Sequence, residues 1–249
     1  MPSPTGRPTP YPSAPASAPP AGPERSWASL YRAGGWSATL FVLLVLVPVV
    51  LVFVAPVPPV EGRALLEYIG AHKVVYLTEL VCFVGLSVPA LVVFASLAVA
   101  LSGLNKTPAT IGGLFGIVSE TIALALGSSP QSLHGGLVVL SDSYLTARTD
   151  GERTGLVSAA DALIAATNAV SWAGILTAAA ILILSLAMRG ARFGRAVPTI
   201  GVVAGAVGIL SEALRPMIGT GYMLYGLLLP TWFALVGWKL LRLDRRPTP

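Results

Sequence analysis

Charged side chains are scarce in this sequence. Asp, Glu, Lys and Arg make up 11% of its 249 residues, whereas soluble domains carry about 25%. Hydrophobic residues make up 54%. So few charges cannot cover the surface of an ordinary soluble domain of this size. The composition therefore predicts an integral membrane protein whose main partner is the lipid bilayer.

Cysteine and histidine are almost absent as well. The single cysteine, Cys82, lies in an apolar run and has no second cysteine with which to form an intrachain disulfide. The two histidines, His72 and His134, do not match the ligand spacing of a motif such as H-E-x-x-H. We therefore predict no metal site and no cofactor.

Common catalytic motifs are also missing. The chain has no G-x-S-x-G elbow, no Walker A loop and no dinucleotide fingerprint that follows a strand. Its glycine-rich stretch GVVAGAVG lies within an apolar run, where close helix packing explains it. The sequence therefore favours a protein that is not an enzyme, although catalysis by buried acidic residues remains an alternative.

Long apolar runs, in contrast, are frequent. About 20 apolar residues in a helix cross a hydrocarbon core of roughly 30 Å. The predicted fold class is an all-α integral membrane protein with six transmembrane helices in one bundle. The six runs are Trp36 to Ala55, Val74 to Leu101, Pro108 to Gly127, Asn168 to Met188, Val197 to Leu214 and Tyr222 to Leu241.

The chain divides into three segments. Residues 1–28 form a Pro-rich tail that cannot build a hydrophobic face, so we expect disorder. Such a tail could dock into an aromatic groove of a partner, but a solvated tail is the favoured interpretation. Residues 29–243 form the six-helix transmembrane domain, and residues 244–249 form a second tail. The first apolar run is too long for a cleaved signal peptide and lacks a cleavage site.

Two segments outside these runs have helical patterns. The stretch VEGRALLEYIGAH places Leu65, Tyr68, Ile69 and His72 at helical spacing, which predicts an amphipathic helix along the outer membrane interface. The stretch LHGGLVVLSDSYLTA predicts a short interfacial helix. After it, SAADALIAATN is expected to begin the fourth helix before the bilayer. Pro89 should kink the second span.

The basic residues predict an orientation. Alternate loops divide the 16 Lys and Arg residues into eleven on one side and five on the other. The positive-inside rule then places both termini in the cytoplasm of a multi-pass protein of the plasma membrane. Arg189, Arg192 and Arg195 could bind anionic lipid, although the topology signal alone explains them and is favoured. The net charge of +5 comes from such anchoring residues, so we predict no nucleic-acid partner.

Two acids interrupt the apolar runs within nearly identical motifs. Glu120 ends GIVSE at residues 116–120, and Glu212 ends GILSE at residues 208–212. A charge at the bilayer centre costs about 2.5–3.5 kcal/mol, so intramembrane acids usually face protein or a wet cavity. Spans three and five run in the same direction. Both acids should therefore lie in the outer half of the bilayer.

Each acid follows a stripe of small residues, which lets membrane helices approach closely. We therefore expect both carboxyl groups to face the bundle. The motif could reflect an internal duplication, but its offset from an upstream TIG differs between the two spans, and chance similarity is favoured. The stripes are Gly113, Gly116, Glu120, Ala123 and Gly127, and Gly201, Gly205, Gly208, Glu212 and Arg215.

Further polar residues occur at the same depth, which predicts an outward-facing acidic cavity that binds a small solute or an ion. A structural alternative pairs Glu212 with Arg215 and holds Glu120 neutral against a serine or a backbone carbonyl. A catalytic alternative makes Glu120 or Glu212 a general acid that acts on a lipid or isoprenoid. The candidate binding residues are Glu79, Glu120, Asp161, Asn168, Glu212 and Arg215.

Four stretches resemble the bacterial multi-pass family called domain of unknown function 4386, over about residues 29–243. They are YRAGGWSATLFVLLVLV, FGIVSETIALALG, RGARFGRAVPTIGVVAGAVG and LLLPTWFALVGWKLLR. The resemblance implies a six-span plasma-membrane protein and no established activity. It puts Glu120 at that family's acidic position in span three, and Glu212 has no counterpart there. Small-solute or ion handling, or an accessory role in the cell envelope, remains the expectation.

Overall fold

The computed structural model describes residues 27–127, 133–189, 193–218 and 221–244, and these form helices and no strand. The predicted N-terminal tail and residues 245–249 lie outside the described residues, except for the start of the first helix. The helices are α1 (Ala28–Leu51), α2 (Gly62–Ala71), α3 (Lys73–Gly85), α4 (Ser87–Ser102), α5 (Lys106–Leu126), α6 (Gly136–Thr146), α7 (Asp150–Val170), α8 (Gly174–Ala187), α9 (Ala196–Ala213), α10 (Arg215–Ile218) and α11 (Tyr222–Asp244).

Six of these segments are long and apolar enough to cross a membrane, which confirms the predicted number. They are α1, α3 with α4, α5, α7 with α8, α9, and α11. The first begins at Ala28 and not at Trp36. Gly34 and Gly35 lie in these added turns, and each packs against a neighbouring helix too closely for a side chain.

Two of the six segments are interrupted. The second segment is interrupted beside Pro89, where a kink was predicted, because α3 ends at Gly85 and Pro89 lies in the first turn of α4. Proline has no N–H to donate to the carbonyl of Gly85. The second interruption is a 3₁₀ turn, Ser171–Ala173, between α7 and α8. No proline accompanies it, and the sequence analysis did not predict it.

The six apolar segments form a closed ring in which each contacts its neighbours in chain order, and α11 returns to α1. Large side chains fill the ring from its middle to the end where α1 begins and α11 finishes, which we call the terminal end. Phe41 stacks on Phe233 with ring centroids 3.8 Å apart, and Phe94 and Trp232 pack beside them. These side chains leave no space inside this half of the ring.

A cap of three helices, α2, α6 and the first half of α7, packs beside this ring. The predicted helix at residues 62–71 is present, and Leu65 and Ile69 on its apolar face are fully buried. They pack against Leu137 of α6 and Ile164 of α7. The apolar face therefore contacts protein, and the location of this helix along the outer membrane interface stays a prediction.

Asp161 joins two helices of the cap, α7 and α2. Its Oδ1 atom accepts a hydrogen bond of 2.7 Å from the backbone N–H of Gly62, the first residue of α2. An acceptor at this position satisfies one of the free N–H groups at a helix start. The residue predicted to line a cavity therefore serves as a helix cap between α7 and α2.

We expect Asp161→Ala to destabilise the cap by about 1–2 kcal/mol, because the Gly62 N–H loses its acceptor. Asp161→Asn keeps an acceptor oxygen and should cost less. Hydrogen exchange of the α2 amides measures the effect directly. Equal exchange rates in the wild type and Asp161→Ala would contradict the capping role.

Candidate functional site

Glu120 of α5 and Glu212 of α9 are both buried, with 5% of each residue exposed. Their orientation toward the bundle agrees with the sequence prediction. Helix α8 contacts both α5 and α9. Thr177 Oγ1 lies 3.0 Å from Glu120 Oε1, and a Cβ atom added at Gly174 would lie 2.7 Å from the Glu212 carboxyl carbon. The first turn of α8 therefore contacts both acids.

Glu120 is part of a short chain of oxygen atoms. Ser119 Oγ donates to the Ala173 carbonyl oxygen at 2.7 Å, Thr177 Oγ1 lies 2.7 Å from Ser119 Oγ, and Thr177 Oγ1 lies 3.0 Å from Glu120 Oε1. Three contacts need three hydrogens. The two hydroxyl groups supply only two of them.

All three contacts are hydrogen bonds at once if the Glu120 carboxyl group supplies the third hydrogen, whereas an ionised Glu120 accepts from Thr177 and leaves the Thr177–Ser119 contact without a hydrogen. Ser119 uses its hydrogen on the carbonyl, and Thr177 then uses its own on Ser119. In this arrangement the protonated carboxyl of Glu120 donates to Thr177 Oγ1. A neutral carboxyl also avoids the cost of an isolated buried charge. Ser87, which is fully buried, lies near Glu120 and offers a further hydroxyl group to its carboxyl.

Glu212 has different surroundings. Tyr222 Oη donates to Glu212 Oε1 at 2.6 Å, and Arg215 Nη1 lies 3.6 Å from Glu212 Oε2. The Arg215 guanidinium also lies 5.0 Å from the centre of the Tyr222 ring. A cation and a short phenol hydrogen bond both favour the ionised carboxylate. Even so, Oε2 has no hydrogen-bond partner in the described part of the chain.

The two acids line one cavity of about 210 Å³ on the side of the core away from the terminal end. The cavity is partly open, and most of its wall is apolar. Its polar lining includes Ser119, Glu120, Thr177, Glu212, Arg215, Tyr222 and Tyr225; its apolar wall includes Phe41, Val45, Phe83, Leu86, Ile122 and Leu229.

The 3₁₀ turn shapes this site. Ala173, the last residue of the turn, lines the cavity and accepts the Ser119 hydrogen bond. Gly174 follows it, and its missing side chain leaves the space that the Glu212 carboxyl fills. A 3₁₀ stretch within a helix often marks a functional position, and interrupted helices line many transporter sites. The break in the fourth apolar segment is therefore part of the site.

Three of the six predicted site residues do not line the cavity. Asp161 caps α2, and Asn168 is exposed on α7. Glu79 is buried elsewhere, within electrostatic range of Tyr68 at the junction of α3 and the cap. Burial, and then the charge of Glu79, raises the pKa of the Tyr68 hydroxyl above its ordinary value. Glu120, Glu212 and Arg215 do come together, so two acids share the cavity where four were expected.

The sequence analysis did not identify four other residues of the site, namely Gly174, Thr177, Tyr222 and Tyr225. Thr177 was visible as a hydroxyl within an apolar run, and the two tyrosines are three positions apart at the start of the last run. Gly174 gave no distinguishing signal among the many glycines. In the described parts of the chain, no three His, Cys, Asp or Glu residues are grouped to hold a metal ion.

The arrangement can therefore hold a proton on Glu120, accept a hydrogen bond at Glu212 and enclose a small apolar body. Comparison of the chain with protein-family models, with curated proteins and with solved structures gives no match. The resemblance to the family called domain of unknown function 4386 thus stays a prediction, and the function has to be argued from the cavity.

Proposed function

We propose that this chain is a multi-pass protein of the plasma membrane with both termini in the cytoplasm. Large apolar side chains on the outside of the ring support insertion, for example Val81 at 67% and Leu210 at 60% exposure. Soluble monomers rarely expose extended apolar surface. Basic residues at the terminal end support the orientation.

Arg189 and Arg195 are exposed between α8 and α9, while Arg192 lies outside the described residues. Arg242 stacks on Trp238 at 3.8 Å near the end of α11. Aromatic and basic residues together are typical of a membrane interface. Anionic lipid at the three arginines stays a proposal on this basis.

We further propose that the protein binds a small solute or ion in the cavity, as part of its transport or handling. The observation that supports this most is that the repeated motifs bring two acids to one turn of α8 within a single cavity. Mostly apolar pockets with a few convergent polar groups are typical of ligand sites. Ionisable residues inside a membrane usually mark a substrate or ion path. The volume of about 210 Å³ suits a compact solute.

We expect Gly226→Phe to weaken solute binding at least tenfold. Gly226 lines the cavity, and a Cβ atom there would meet no heavy atom within 4 Å, so the ring can enter the space that a solute needs. Thermal unfolding of purified protein with a panel of small amines, alcohols and amides reports binding, because a ligand stabilises the folded state. Uptake into proteoliposomes then tests transport.

Gly155→Phe is the matched control. Gly155 lies on the exposed surface of α7, and a Cβ atom there also meets no heavy atom within 4 Å. This variant should respond to the panel as the wild type does. If Gly226→Phe binds the same solutes as tightly as the wild type, the cavity is not the binding site.

A membrane-embedded enzyme that acts on a lipid or isoprenoid is the second candidate. The hydrogen count at Glu120 favours it, because a protonated carboxyl beside an apolar cavity can serve as a general acid. Transport predicts that the solute crosses the membrane unchanged. An enzyme predicts that purified protein converts an isoprenoid to a new product and loses turnover in Glu120→Gln.

A further inference from the structure

The charges of the cavity balance before any ligand enters. An ionised Glu212 and Arg215 cancel each other, and Glu120 adds no charge in the protonated form that satisfies all three oxygen contacts at once. Helices α4 and α8 present only the hydroxyl groups of Ser87 and Thr177 to Glu120. Other ionisable groups do not change this balance: Tyr222 and Tyr225 of α11 line the cavity as phenols, whereas Tyr76, Glu79 and Cys82 of α3 are not part of its lining.

One atom of the cavity lining indicates that a ligand binds there. Glu212 Oε2 belongs to a side chain that is 95% buried, it lines the cavity, and it has no hydrogen-bond donor among the described residues. Arg215 at 3.6 Å is too far for a good hydrogen bond. A buried acceptor without a donor is costly. A ligand with an N–H group can supply that donor.

The aromatic rings favour a cationic ligand. The Arg215 guanidinium already lies over the Tyr222 ring, so the site accommodates a planar cation against a tyrosine face. Tyr225 and Phe83 offer further rings to the cavity. A compact cation with an apolar body matches both the apolar wall and the free carboxylate oxygen.

We propose that the ligand is a small organic cation with N–H donors, and that its binding at Glu212 Oε2 releases the proton of Glu120 one for one. This inference rests on the proposed solute-binding function and adds the chemical class of the solute and its coupling to protons. It predicts exchange of one organic cation for one proton.

Charge balance requires the exchange. A cation that enters a neutral, mostly apolar cavity leaves one charge uncompensated, which is expensive in a low dielectric. If the O–H bond of Glu120 breaks and its proton leaves to water, the carboxylate that remains compensates the cation. Thr177 can then turn its hydroxyl hydrogen from Ser119 to Glu120. Total charge is conserved, because one cation enters and one proton leaves.

Benzylguanidinium is a suitable probe, because it stays cationic near neutral pH and carries N–H donors on an apolar body. Benzylurea is its neutral counterpart of similar shape. Calorimetric titration in two buffers of different ionisation enthalpy gives the number of protons released on binding. We expect about one proton per benzylguanidinium in the wild type and none for benzylurea.

Glu120→Gln should bind benzylguanidinium at least tenfold more weakly and release no proton, since its amide cannot compensate the cation. Its affinity for benzylurea should change less than threefold, which shows that the cavity is intact. If Glu120→Gln does not fold, the proton count of the wild type decides alone.

The outcomes separate the two proposals. Binding of benzylguanidinium without proton release, or equal release by Glu120→Gln, overturns the exchange and leaves solute binding intact. If other solutes bind in the Gly226→Phe experiment but benzylguanidinium does not, the cationic class is wrong. If no solute distinguishes the wild type from Gly226→Phe, both proposals fail.

Discussion

Gly205→Leu is expected to prevent the ring of helices from closing, at a cost above about 3 kcal/mol. A Cβ atom at Gly205 would lie 2.7 Å from the backbone nitrogen of Leu182 and 2.8 Å from the carbonyl oxygen of Ala178. Backbone atoms cannot rotate away as a side chain can. Helix α9 would therefore have to separate from α8, and this also parts Glu212 from Gly174.

Size-exclusion chromatography of detergent-purified protein, followed by thermal unfolding, measures this loss. Gly155→Leu is the control, because it adds the same side chain to an exposed helical position where a Cβ meets no heavy atom within 4 Å. Leucine is also a better helix former than glycine by about 1 kcal/mol. The control should thus be as stable as the wild type or more so. Equal stability of Gly205→Leu and the control would mean that α8 and α9 do not pack this closely.

The six helices could be predicted because length and apolarity suffice to define them. The break near Pro89 could also be predicted from the sequence, since a missing N–H has the same consequence in any helix. The turn at residues 171–173 could not be predicted in this way. Its residues, Ser, Trp and Ala, are common within helices, and only their contacts with α5 and α9 distinguish them.

The cap shows a different limit of sequence reasoning. The apolar stripe with Leu65 and Ile69 predicts correctly that one face of α2 is buried. It cannot tell whether protein or lipid covers that face, because both are apolar. Here protein covers it, and residues more than 60 positions away supply the contact.

The candidate site was predictable in part for a similar reason. Glu120 and Glu212 could be placed together because each lies on a stripe of small residues and both spans run in the same direction. Depth alone suggested that Glu79 and Asp161 join them. The depth of a residue in the membrane does not determine which neighbouring helix its side chain faces. Asp161 faces the start of α2 and not the cavity. The plasma membrane, the cytoplasmic termini and the anionic lipid stay predictions.

Glu212→Leu is expected to destabilise the protein by about 3–5 kcal/mol, because it leaves a partly buried Arg215 without its counterion. The Arg215 side chain is 22% exposed, so it cannot become fully hydrated where it lies. The Tyr222 hydroxyl loses its acceptor at the same time. Denaturant unfolding of purified protein measures the change in free energy.

The double variant Glu212→Leu with Arg215→Leu should recover most of this stability, since replacing a whole buried ion pair with apolar residues is often nearly neutral. A double-mutant cycle then gives the coupling between the two side chains. A double variant as unstable as Glu212→Leu would show that Arg215 is not the partner that matters. Ligand binding provides the decisive contrast. If Glu212 serves only to pair with Arg215, the double variant recovers both stability and solute binding. If Glu212 Oε2 binds the ligand, the double variant recovers stability but still does not bind benzylguanidinium.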